Sequence, residues 1–145
     1  MAQNVTRIRA PVERVFQVLT DAAAYPDWVV GARSIRAVDG DWPRSGSAFH
    51  HTLGAGPLHV SDSTRIIEID PPRRLVLSAK ARPVGLVARV SLDLEQDGDE
   101  TIVKMAEKGI GGLAGLLWNP LFDKLTQIRN ARSLDRLKRL VEEGP

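Results

Sequence analysis

The chain has 145 residues, a formal net charge of +2 and no cysteine. That length fits one domain, 1–145, with a sizeable core. The lack of cysteine excludes disulfides, thiolate chemistry and the usual zinc frameworks, and so slight a basic balance does not point to nucleic acid.

No stretch approaches the ~20 apolar residues of a membrane span, and "MAQNVTRIRAPVERV" lacks the apolar segment of a secretory signal. The expectation is a cytoplasmic protein. In chain order, "NVTRIRA" alternates around Val5 and Ile8 and reads as a first strand. "APVERVFQVLTD" changes period: Val12, Val15, Phe16 and Leu19 lie at helical spacing, and Pro11 suits the first turn. Asp21 is placed to cap a second short helix through "AAAYPDW". Pro26 is expected to end or bend that helix, which leaves Trp28 at the end of a short helical connection.

The pattern then turns to β. "RSIRAVDG" reads as a strand closing in a turn at Asp39–Gly40. "SAFHHTLG" puts Ser47, Phe49, His51 and Leu53 on one face. "LHVSDSTRIIEI" is the longest strand and ends at "DPPRR", whose prolines do not fit a central strand. "LVLSAKA" aligns Leu75, Leu77 and Ala79, and "VARVSLDLEQ" turns Val90, Leu92 and Leu94 inward. After the tight turn "DGDE", "TIVKMAEKG" aligns Val103, Met105 and Glu107. "GIGGLAG" reads as a flexible connector and hinge. The last element is a helix from Pro120 to Glu142, roughly 35 Å long.

One strand, two short helices, six strands joined mostly by short turns and one long helix imply an α+β domain with a seven-stranded antiparallel sheet. One helix covers only one face of such a sheet. The sheet is therefore expected to curve around the helix and to leave part of its interior as a cavity.

Three stretches carry a family resemblance: "APVERVFQVLTDAAAYPDW", "EIDPPRRLVL" and "SLDRLKRLVE". In order and spacing they resemble the START-like helix-grip superfamily, in its polyketide cyclase/dehydrase and lipid-transport (SRPBCC) branch. The resemblance implies a curved sheet wrapped around the C-terminal helix, with an apolar cavity between them. It also implies a ligand that enters near the short helices and the Gly-rich loop. Lipid carriers, hormone receptors, aromatic cyclases and ring-hydroxylase subunits share this fold, so the fold does not choose among them.

His50 and His51 point to opposite faces of a strand, so they cannot both ligate one ion, and no metal or other cofactor is expected. His51 shares a face with Phe49 and Leu53. It reads either as a general base or as a hydrogen-bonded histidine of the cavity wall. Glu107 reads either as a buried carboxylate able to shuttle protons or as a residue past the strand end, in solvent beside Lys108. "GIGGLAG" lacks the P-loop and dinucleotide signatures, and no nucleophile elbow is present.

The long helix carries two apolar rows, Leu117/Leu121/Leu125/Ile128 and Leu134/Leu137/Val141, on nearly opposite sides. Arg129, Arg132, Arg136 and Arg139 prolong the first row, which reads as a cavity lid, a partner contact or a basic membrane-facing surface. The expected function is binding of a hydrophobic small molecule, such as a lipid, a polyketide or an aromatic compound. Its contacts would be Trp28, Phe49, His51, Met105, Trp118, Leu121, Phe122 and Leu125. The alternatives are a cofactor-free cyclase or dehydratase with His51 and Glu107 as catalytic groups, and an interaction or membrane-surface module. A monomer and a homodimer are both compatible with the sequence.

Overall fold

The computed structural model describes residues 2–30, 32–55, 58–82, 86–111 and 120–144. Within them, the side chains of 32–36, 51–55, 58–62, 81–82, 86, 110–111 and 122 fall outside the description. The elements are β1 (Ala2–Ile8), α1 (Val12–Leu19), a 3-10 turn (Ala22–Ala24), α2 (Tyr25–Trp28), β2 (Ala32–Val38), β3 (Ala48–Ala55), β4 (Leu58–Asp70), β5 (Arg74–Arg82), β6 (Leu86–Asp97), β7 (Glu100–Gly111) and α3 (Pro120–Glu143). All seven strands pair antiparallel, in the spatial order β1-β7-β6-β5-β4-β3-β2. This is the curved helix-grip arrangement expected from the order of elements.

Local chemistry explains most boundaries. Pro11 precedes α1 in extended conformation, and its missing N–H lies where no helical partner exists. Val12, Val15, Phe16 and Leu19 are all buried, as their spacing predicts. The Asp21 carboxylate accepts from the Ala23 N–H, 3.0 Å away, and caps the 3-10 turn. Pro26 does not end the second short helix. It sits in the first turn of α2, where proline is tolerated, directly after the 3-10 turn. β6 and β7 join through Gly98–Asp99, since Asp97 pairs with Glu100. Gly98 takes φ +65° there, a conformation open to glycine at no steric cost.

Two expectations change. On β1, Ala2 and Ile8 are buried and Val5 is exposed, because the inward parity falls on even positions and not on Val5. Gly109–Gly111, read as the start of a flexible connector, instead continue β7; residues 112–115 of that motif lie outside the described residues.

The main core lies between the sheet and the C-terminal half of α3. Leu75, Leu77, Val90, Leu92, Leu94 and Val103 meet Leu134, Leu137 and Val141, with α1 closing one side. α3 also runs along β1, an edge strand. Gln127 donates to the Gln3 carbonyl at 3.2 Å, and Lys138 donates to the Arg7 carbonyl at 3.0 Å. Helix side chains thereby satisfy backbone groups of a strand that has a sheet neighbour on one side only.

Candidate functional site

β7 alternates so that Val103, Met105 and Glu107 all face inward, and all are buried. Glu107 is paired on both sides, with Ala2 of β1 and Val90 of β6. Its carboxylate is therefore fixed on the concave face, with 7% of the residue exposed. An isolated carboxylate there would be costly, and α3 supplies its partners. Arg129 Nη2 donates to Glu107 Oε1 at 3.0 Å, and Asn130 Nδ2 donates to the same oxygen at 3.1 Å. Arg129 Nη2 also lies 3.3 Å from Asn130 Oδ1. Both bonds to the carboxylate end on Oε1, so neither engages Oε2.

Glu107 thus lies on the inner face, and not past the strand end in solvent. Arg129 is one of the four arginines that prolong the Leu117/Leu121/Leu125/Ile128 row. Its guanidinium instead turns inward toward Glu107, while its side chain remains partly exposed. Asn130 is fully buried and was not singled out by the sequence reading.

The inner face of α3 changes character along its length. Thr126 and Asn130 are buried in its first half, and Ser133, Leu134, Leu137 and Val141 in its second. These positions form one helical stripe. Extending the Leu134/Leu137/Val141 row backwards by helical steps reaches Asn130 and Thr126, which is the signal that identifies them. Ser133 Oγ accepts from the Val30 N–H at 3.0 Å and ties α3 to the chain leaving α2. Asn4 Nδ2 donates to the Gln127 carbonyl at 3.0 Å.

A second group surrounds Trp28, which is 2% exposed. Tyr25 meets Trp28 and Phe49 edge to face, with centroids 5.7 and 4.7 Å apart, and Trp42 meets Phe49 at 4.8 Å. Such pairs add stability beyond their buried area. Trp42 Nε1 donates to the Thr20 carbonyl at 2.7 Å. Among the described residues, Trp28 Nε1, Asn4 Oδ1 and Arg129 Nε are buried polar atoms without a hydrogen-bond partner.

Of the residues expected to touch a ligand, Trp28 and Phe49 join through Tyr25, and Trp28 and Met105 share the main core. Leu121 and Leu125 face outward, 70% and 58% exposed. Trp118 and the side chains of His51 and Phe122 lie outside the described residues. Asp27, Arg136, Arg139, Leu140, Glu143 and Gly144 line an open groove of about 350 Å³ beside the end of α3. Its mixed charge and openness do not suit an apolar ligand.

No curated protein matches the chain. Among solved structures, protein CV1439 from Chromobacterium violaceum is similar at 18% identity and TM-score 0.79, over 97% of this chain and 95% of its own. The di-domain ARO/CYC StfQ from the steffimycin biosynthetic pathway is similar at 16% identity and TM-score 0.75. That match covers 99% of this chain and 45% of StfQ, so the chain spans about half of that protein. The Aha1 dimer from Colwellia psychrerythraea is similar at 16% identity and TM-score 0.67, over 99% of this chain and 96% of its own. At these identities the likeness is one of fold. The family model of the activator of Hsp90 ATPase homolog 1-like proteins matches residues 9–142. From the end of β1 to the last turn of α3 the sequence fits that pattern, and the chain belongs to the activator of Hsp90 ATPase homolog 1-like family.

Proposed function

We propose that the domain binds a mainly apolar small molecule, of lipid, polyketide or aromatic type, between the sheet and the N-terminal half of α3. The polar end of the ligand meets Glu107, Arg129 and Asn130. The carrying observation is the change of the inner face of α3 from apolar to polar where it faces Glu107. A core built for stability alone would continue the Leu134/Leu137/Val141 row, because a buried ion pair rarely outperforms well-packed apolar side chains. Met105 beside Glu107 on β7 supplies an adaptable apolar contact, and the buried Trp28 and Phe49 shape the wall. The fold likeness to StfQ agrees with a ligand of aromatic or polyketide type.

The second reading is a cofactor-free cyclase or dehydratase, favoured by the presence of a carboxylate on the concave face. It requires His51 and Glu107 to reach one ligand position. Turnover retained in both His51→Ala and Glu107→Gln variants contradicts it.

Native mass spectrometry on protein purified without denaturation tests the binding reading. The expected result is an adduct of small-molecule mass that is weakened in an Asn130→Leu variant. A bare chain, together with no mass adduct on incubation with fatty acids, flavonoids or polycyclic aromatic compounds, contradicts it.

A further inference from the structure

We infer that the outer face of α3 docks on an anionic lipid surface. Leu121, Leu125 and Ile128 are 70%, 58% and 45% exposed. Together with Arg132, Arg136 and Arg139 they follow steps of three and four residues, so all six lie on one side of the helix. The three arginines are exposed as well. The opposite side holds Asn130, Leu134 and Leu137 in the core, so α3 cannot rotate to hide the leucines.

Along this face the apolar and basic parts come in series. From Leu121 to Arg139 the helix rises about 27 Å. Laid on a membrane, the first part reaches the acyl boundary while the arginines stay at the level of lipid phosphates. Arg139 is also paired with Asp135 at 3.0 Å, an exposed i,i+4 pair of the kind worth little in water, and Arg136 and Arg139 share a groove with Asp27 and Glu143, so the net positive charge of the face is smaller than its three arginines. No described helix is long and apolar enough to cross a membrane, so the contact is with the surface.

Charge and area choose the occupant. In a symmetric helix pair the three arginines meet at most Asp135 and Glu143 of the same helix side, whereas anionic lipid matches all three. Three side chains also expose much less than the ~800 Å² per partner of a stable protein interface, whereas a membrane gains from each inserted side chain. This surface lies across α3 from Asn130, so it stands apart from the ligand reading.

The test is flotation of the full chain with vesicles of phosphatidylcholine alone and of equimolar phosphatidylcholine and phosphatidylserine, at low and high salt. The account predicts flotation with the anionic vesicles only, reduced by salt. Arg132→Glu with Arg136→Glu should reduce partitioning at least twentyfold, at about fivefold for each arginine lost. Leu125→Asp should reduce it with little change in circular dichroism and thermal midpoint, because Leu125 is 58% exposed and stands outside the core cluster of the described residues. Absence of flotation, flotation indifferent to these substitutions, or a dimer in native mass spectrometry that Leu125→Asp dissociates overturns the proposal; the last result assigns the face to a second copy of the chain.

Discussion

At Glu107 two donors converge on one carboxylate oxygen in a nearly closed site. Removing the carboxylate leaves the buried Asn130 Nδ2 without its acceptor, whereas the partly exposed Arg129 can turn back to solvent. Glu107→Ala should therefore lower stability in urea unfolding by about 1–3 kcal/mol, less than the full cost of stranding a buried charge. The double variant Glu107→Leu/Asn130→Leu restores an apolar contact across the same gap. It should unfold at equal or higher urea than the parent chain, because a buried ion pair rarely outperforms well-packed apolar side chains, and under the binding proposal it should lose ligand binding. Trp28 gives a separate contrast. Its Nε1 has no acceptor among the described residues, so the ring does its structural work through packing. Trp28→Ala should cost about 3–5 kcal/mol, and Trp28→Phe less than half of that, read by the same unfolding curves.

α3 shows how an element can carry two unlike faces whose roles are separable by substitution. Leu134→Ala or Leu137→Ala should cost about 2–5 kcal/mol each, whereas Leu125→Ala, at an exposed site, should change stability by less than about 0.5 kcal/mol. The end of α3 is clamped to the start of the chain. The Arg9 N–H donates to Glu142 Oε2 at 2.8 Å, the Arg9 guanidinium lies 3.3 Å from Oε1, and Lys138 lies 3.9 Å from Oε2. The backbone bond from Arg9 is the main cause that holds the Glu142 carboxyl below its ordinary range, against the opposing effect of burial and with help from the two cations. A carboxyl lowered in the folded state binds its proton more readily in the unfolded chain. Its stabilisation is thus complete above the unfolded value and lost as pH falls through the folded one. Glu142→Gln should cost about 1 kcal/mol near neutral pH after solvent screening, and the difference from the parent should shrink as pH falls through the lowered Glu142 value, read by urea unfolding. The two apolar rows of α3 were legible from spacing, since a helix period shows which residues share a side. The inner polar stretch was not, because Thr126, Asn130 and Ser133 look like surface residues until the row they continue is known to be buried.

At the scale of the whole molecule, the order of elements and the short turns between strands carried the topology. A strand followed by helices and then six hairpin-linked strands leaves few other sheets open. Parity on β1 was less secure: a strand with a single valine and a single isoleucine three apart does not declare its inner face, and Val5 proved to be outside. The candidate site was half legible. Glu107 stood out as a charge in line with Val103 and Met105, but its partners come from a helix more than twenty positions away, and no local pattern links them. The outcome is a fold with one end of its core packed by apolar side chains and a polar cluster where α3 faces Glu107. Amide chemical-shift mapping during titration with a flavonoid or fatty acid that gives a native-mass adduct tests this most directly. The account predicts that the shifts centre on Met105, Glu107, Arg129 and Asn130 and disappear in Glu107→Leu/Asn130→Leu. Shifts confined to Leu121, Leu125 and Ile128 on the outer face, with the inner residues unmoved, would contradict it.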